Sequence, residues 1–121
     1  ARPRDYLRLG LLFTSEGKNL AGEQIISSKW MNKMLGYGEE FEGCPLGAGL
    51  NCAGLGPFGY TYQTWMNPSG SVVFFMGKYG QLILIHPASK LVAVILSAAK
   101  SGRWAHIFTT EMRAFLREIA R

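Results

Sequence analysis

The apolar positions near the start of the chain repeat at helical spacing. Tyr6, Leu9 and Phe13 lie three or four residues apart, so the pattern predicts a helix from Arg4 to Glu16. Further leucines widen the apolar stripe until it nearly encircles this helix. A stripe of that width predicts burial on more than one side.

The pattern then changes from helical spacing to a glycine-rich segment. A second, shorter helix is predicted to begin at Ser27 or Ser28, either of which could cap it, and to end at Gly36. Between residues 36 and 59 Gly is frequent, Pro interrupts the chain and no periodicity survives. This composition predicts a long loop, and loops of that length are usually functional or disordered.

The second half of the chain predicts strands followed by a helix. Short apolar or alternating runs between turn signals predict four strands: Tyr60–Met66, Ser71–Met76, Gln81–His86 and Leu91–Leu96. The segment Arg103–Ala120 then predicts an amphipathic helix. The predicted fold class is α+β, an antiparallel sheet flanked by an N-terminal and a C-terminal helix, in one partial domain over residues 1–121.

Composition and charge narrow the function classes. With 121 residues, 48% hydrophobic and 17% charged, the chain has the size and apolar content of one small domain and not of a disordered segment. The net charge of +5 comes from scattered basic residues, which argues against a nucleic-acid partner. The longest aliphatic run, Leu91–Leu96, is far shorter than the roughly 20 residues of a membrane helix, so no membrane span is predicted.

The start of the chain bears on its completeness. It begins at Ala1 without Met and without the features of a signal peptide. We therefore expect a trimmed or processed chain, or a piece of a larger protein. The first helix is too apolar for so small a sheet, which favours a partner fragment that covers it.

Three sequence blocks occur in a fixed order along the chain. They are Arg4–Leu12 with Gly22–Ser27 and Trp30, then Phe58–Trp65, then Phe74–Gln81 with the apolar positions that follow as far as Val94. Together they resemble the C-terminal part of the serine beta-lactamase-like hydrolases, the group of class C beta-lactamases, penicillin-binding proteins and esterases. The resemblance covers nearly the whole chain and implies the sheet half of that fold.

The family uses a Ser-x-x-Lys nucleophile, a Tyr-x-Asn or Ser-x-Asn element and a Lys-Thr-Gly-like triplet on the sheet. Lys78, Tyr79 and Gly80 match the triplet in position, with Tyr where Thr is usual. The resemblance implies that these residues line the cleft and that the N–H of Gln81 helps form the oxyanion hole. The phenol of Tyr79 argues against recognition of a beta-lactam. The alternative is a plain hairpin turn with an exposed lysine.

The other two family motifs are missing. The string Ser15–Lys18 lies where the first helix is predicted to end, and Ser97–Lys100 closes the last predicted strand. Neither is at a helix start, where a nucleophile of this kind must lie for the lysine to take its proton. No Tyr-x-Asn or Ser-x-Asn string is present. We therefore expect the nucleophile in a portion that precedes this segment.

No metal site and no cofactor are predicted. His86 and His106 are twenty residues apart, and no nearby carboxylate or thiol pattern has metal-ligand spacing. Cys44 and Cys52 close a short loop and could form a disulfide in an oxidising compartment or remain thiols in the cytosol. Because the family is commonly exported, the resemblance favours the disulfide and a periplasmic or secreted location.

The function expected from the resemblance is that of the C-terminal portion of a serine hydrolase. It would act on a small-molecule amide or ester through an acyl-enzyme, with its partner an N-terminal, nucleophile-bearing portion or chain. The alternative is a catalytically silent binding or assembly module that reuses the same sheet. A small nucleic-acid binder is a third possibility.

Overall fold

A computed structural model describes residues 2–36, 59–66, 70–98, 114 and 118 of the chain. Two helices precede five strands in the described residues: α1 (Pro3–Thr14), α2 (Ser28–Met34), β1 (Gly59–Thr61), β2 (Thr64–Met66), β3 (Val73–Met76), β4 (Leu82–His86) and β5 (Leu91–Ile95). The strands form one antiparallel sheet in the order β1-β2-β3-β4-β5. The α+β fold class is confirmed.

Two parts of the prediction lie outside the described residues. The predicted loop between residues 36 and 59 is one of them, and it contains Cys44 and Cys52. The other is the predicted C-terminal helix, of which only Ala114 and Glu118 are described, both helical and exposed.

β4 is the most deeply buried strand in the described sheet. Its first four residues, Leu82–Ile85, are all buried. Because successive side chains of a strand point to opposite faces, Ile83 and Ile85 pack on one side and Leu82 and Leu84 on the other. β4 therefore belongs to two apolar clusters, one on each face of the sheet.

α1 packs across β4 and β5 on the face that carries Ile83 and Ile85. Phe13 is 2% exposed, and its ring meets Phe75 edge to face at a centroid distance of 5.4 Å. Gly10 is buried where the helix backbone approaches Val92. The opposite side is less covered, since Leu9 is 41% exposed. Burial of α1 on a second side stays a prediction.

The ends of both helices follow from local hydrogen bonds. The Arg2 N–H donates to the Asp5 carboxylate over 2.8 Å at the start of α1, where a negative charge is favourable. α1 ends at Thr14, two residues before the predicted end, because Glu16 and Gly17 have φ values of +53° and +84°. At the start of α2 the Ser27 hydroxyl accepts from the Trp30 N–H, as predicted for a cap.

The prediction of a single strand over Tyr60–Met66 is wrong. Tyr62 and Gln63 have φ values of +42° and +63°, and this pair turns the chain between β1 and β2. Two consecutive left-handed residues are the geometry of a tight hairpin turn, which usually carries Asn or Gly. The other three predicted strands are found within two residues of their predicted bounds.

The β1–β2 turn is held against α2 by an aromatic contact. The rings of Trp30 and Tyr62 lie 4.9 Å apart between centroids, and the Lys33 Nζ lies about 6 Å from each ring. This contact explains how Tyr62 is kept in an unfavourable left-handed conformation. No helix of the described segments is both long and apolar enough to cross a membrane.

Replacing Gly10 with Ala should destabilise the fold by about 1–2 kcal/mol, the overpacking cost less the gain in helix propensity. A β-carbon at Gly10 would lie 2.4 Å from Val92 Cγ1, on a branched side chain that cannot swing away. Urea unfolding of the full-length protein would measure the loss. Adding Val92→Ala should remove the clash, so a double-mutant cycle without coupling would contradict the close approach.

Replacing Gln63 with Gly should stabilise the protein by about 0.5–1 kcal/mol, because Gly adopts positive φ without the steric cost that a β-carbon imposes. Ala88→Gly is the control, since Ala88 is also an exposed turn residue but does not have positive φ. The control should lower the unfolding free energy slightly. Equal effects of the two substitutions in urea unfolding would rule out strain at Gln63.

Candidate functional site

The four residues predicted from the resemblance lie together at one end of the sheet. Lys78, Tyr79 and Gly80 form the turn between β3 and β4, and Gln81 is the residue just before β4. Lys78 and Tyr79 are both exposed, and the Lys78 Nζ lies 5.7 Å from the centre of the Tyr79 ring. The local conformation is a hairpin turn with an exposed lysine, so it agrees equally with the functional prediction and with its alternative.

Two main-chain hydrogen bonds close the turn. The Gly80 N–H donates to the Gly77 carbonyl over 3.2 Å, and the Gly77 N–H donates to the Gln81 carbonyl over 2.9 Å. Gly80 has a φ of +85°, a conformation that glycine adopts without strain. The glycine of the triplet therefore has a structural reason to be glycine, whatever its chemistry.

A second set of hydrogen bonds ties the turn to the end of β5. The Tyr79 N–H donates to Gln81 Oε1 over 3.2 Å, and the Gln81 Nε2 donates to the Ser97 carbonyl. In return, the Ser97 hydroxyl donates to the Tyr79 carbonyl over 3.0 Å. We call this set, formed by the Gln81 side chain, Ser97 and the Tyr79 main chain, the turn clamp.

Lys78 carries the positive charge of the β3–β4 turn. Within the described part of the chain its ammonium forms no ion pair, whereas Arg8 on α1 pairs with Asp5. An exposed, unpaired ammonium can contact a carboxylate or carbonyl oxygen of a ligand. The turn can thus offer one cation, one phenol and the main-chain N–H of Gln81 to a bound molecule.

An apolar groove of about 220 Å³ lies beside the turn, between the start of α1 and the sheet. Gln81 forms part of its wall, so the clamp residue borders both the turn and the groove. The other lining residues are Tyr6, Phe75, Met76, Gly77, Leu82, Ile83 and Leu96.

The structure describes the first Ser-x-x-Lys string in full and only the start of the second. Ser15 is the C-cap of α1 and lies at the wrong end of that helix for a nucleophile. Ser97 follows β5, and Lys100 is outside the described residues. The role of Ser97 in the clamp was missed, because it depends on contact with a turn 18 residues away and has no local signal.

His86 is the histidine that the structure describes. His86 ends β4, and its Nδ1 lies 2.6 Å from the Ser89 hydroxyl in the next turn. No group of three or more His, Cys, Asp or Glu side chains that could hold a metal ion occurs in the described ranges. His106 lies outside the described residues.

Among the comparisons with known proteins, the one with solved structures finds a match to this chain. No protein-family model matches the chain, and no curated protein matches it in sequence. A solved structure named "Putative 6-aminohexanoate-dimer hydrolase from Bacillus anthracis" matches with a TM-score of 0.64 and 24% identity. The match covers 99% of this chain and 29% of that one. The chain thus has a distant, partial beta-lactamase-like fold and spans less than a third of the hydrolase that it resembles.

Proposed function

We propose that the chain is the C-terminal portion of a serine hydrolase that cleaves a small-molecule amide or ester through an acyl-enzyme. One observation carries the proposal: 99% of the chain superposes on part of a protein named as a hydrolase. A dimer of an amino acid such as 6-aminohexanoate is joined by an amide bond. We therefore favour a small linear amide as substrate.

In this proposal the β3–β4 turn is one wall of the cleft. Lys78 contacts the substrate through its exposed ammonium, and Tyr79 and Gly80 line the path to the reacting carbonyl. The N–H of Gln81 donates to the oxygen that becomes negative in the tetrahedral intermediate. These roles come from the resemblance of Lys78-Tyr79-Gly80 to the family triplet, and the exposure of Lys78 and Tyr79 leaves them accessible to a substrate.

The nucleophile in this proposal belongs to a portion outside residues 1–121. The chain matches only 29% of its structural neighbour, which leaves room for such a portion. β5 lies at the edge of the described sheet, and Ile95 and Leu96 near its end are 45% and 49% exposed. Exposed apolar side chains on an edge strand suit a surface that another part of a protein covers. A periplasmic or secreted location belongs to the same proposal.

A fluorophosphonate should label the full-length gene product on a serine outside residues 1–121. The reagent phosphonylates only serines that a neighbouring base has activated, and Ser15 lies at the end of α1 and not at its start. Intact mass and peptide mapping would locate the adduct. Heat-unfolded protein is the control and should remain unlabelled.

Two results would contradict this assignment. An adduct on Ser15 or Ser97 would place the nucleophile inside this chain. Absence of any adduct on folded protein would favour the catalytically silent binding module instead.

Lys78→Ala in the full-length protein should lower kcat/KM for an amide or ester substrate by about tenfold or more, because a charged contact near the reacting carbonyl is lost. Lys90→Ala is the matched control. Lys90 is also an exposed turn lysine, but it lies in the β4–β5 turn at the other end of β4. Equal kinetics of the two variants would remove Lys78 from the site.

A further inference from the structure

We infer that Gln81 and Ser97 are positioning residues, which hold the main chain of Tyr79 so that the β3–β4 turn meets the substrate in one orientation. The inference rests on the proposed function and adds to it two side chains that need not touch the substrate. The Gln81 N–H, to which we give a role in catalysis, is a separate group from its carboxamide.

The clamp takes hold of Tyr79 at both of its main-chain polar groups. Its N–H donates to Gln81 Oε1, and its carbonyl accepts from the Ser97 hydroxyl. Main-chain groups in an exposed turn normally bond to water, which fixes no direction. Here two side chains replace water, and they fix the peptide groups on either side of the Tyr79 α-carbon.

Closure of the hairpin does not need these bonds. The main-chain bonds between Gly77 and Gly80 and between Gly77 and Gln81 already reverse the chain. The added bonds therefore fix the orientation of the turn main chain and are not needed to form the hairpin. The third bond, from Gln81 Nε2 to the Ser97 carbonyl, anchors this direction to the end of β5.

Gly77 provides the space that the clamp occupies. A β-carbon at this position would lie 2.5 Å from Gln81 Oε1 and 3.1 Å from Gln81 Cβ. Alanine there would push the carboxamide out of its place without removing any polar atom. Gly77, Gln81 and Ser97 together therefore maintain the clamp. Gly77 and Ser97 can each be substituted without changing Lys78 or Tyr79.

The consequence for catalysis follows from geometry. Lys78 and the N–H of Gln81 lie on either side of Tyr79 in sequence. A rotation of the Tyr79 peptide groups would move both away from a bound carbonyl. Donors to a developing oxyanion must be aimed before the reaction, so loss of the clamp should lower kcat more than it changes KM.

The test uses the full-length gene product with p-nitrophenyl acetate as the substrate and a fluorophosphonate as the label. Ser97→Ala should lower kcat by about tenfold, the effect expected when one hydrogen bond to the developing oxyanion is no longer correctly aimed, with KM changed little. Ser97→Thr keeps the hydroxyl and should restore kcat. Ser89→Ala, which removes an exposed hydroxyl from the β4–β5 turn, is the matched control and should keep the original kcat.

A second variant separates orientation from the loss of a hydroxyl. Gly77→Ala should lower kcat by a similar factor, because it displaces the Gln81 carboxamide. The double variant Gly77→Ala/Ser97→Ala should be no slower than the slower single variant, since both break one arrangement. Full additivity of the two effects would overturn the inference.

Three further outcomes distinguish failure of the positioning role from failure of the proposed function. If the original protein hydrolyses the ester and is labelled, but Ser97→Ala keeps its kcat, the clamp has no positioning role and the proposed function stands. If Ser97→Ala and Ser89→Ala lose kcat equally, the effect is general and the inference fails. If the original protein is neither labelled nor active, the proposed function fails and the positioning role fails with it.

Discussion

Burial of β4 on both faces is the constraint on which the described structure depends. A strand that lies between β3 and β5 and is apolar on both sides has one register that keeps Leu82–Ile85 buried and leaves His86 at the edge. A shift by one residue would exchange the two faces and bring His86 into a buried position. The helices and the remaining strands pack around β4, whose register is fixed.

The position of the turn follows from this register. Because Met76 pairs with Leu82, the five residues between them must form the connection. Because Leu82 pairs with Ile95, the end of β5 lies beside the start of β4. Gln81 and Ser97 are brought together by that pairing, although they are 16 residues apart in the chain. The clamp thus lies at the surface, but the strand register that brings its residues together is set by packing in the core.

Much of this fold can be predicted from the chain because its apolar residues follow simple periods. β4 and β5 are short apolar runs between turns, and α1 has a helical repeat, so local sequence suffices for each. The β1–β2 turn could not be predicted in this way. Tyr62 and Gln63 are poor residues for left-handed conformations, and the contact of Tyr62 with Trp30 is a tertiary effect.

In the candidate site, too, local sequence predicts some residues, whereas the roles of others depend on tertiary contacts. Lys78, Tyr79 and Gly80 are consecutive, so a sequence resemblance can point to them together. Gln81 was predicted for its N–H, whereas the structure gives its carboxamide a separate task. In the sequence, Ser97 is notable only as part of a Ser-x-x-Lys string. Long-range hydrogen bonds between side chains and main chain leave no periodic trace, because each needs only one polar residue at the right place.

A turn that only connected two strands would not need the hydrogen bonds of the clamp. Two glycines and two main-chain bonds already complete the β3–β4 hairpin, and its exposed polar groups could bond to water at little cost. The β4–β5 turn, at the other end of the same strand, is tied locally by the contact of His86 with Ser89 three residues away. The turn that carries Lys78 is instead joined to the end of β5 by two hydrogen bonds with Ser97, and a third bond, from the Tyr79 N–H to Gln81 Oε1, lies within the turn. That difference between the two ends of β4 is what the proposed positioning role of Gln81 and Ser97 requires.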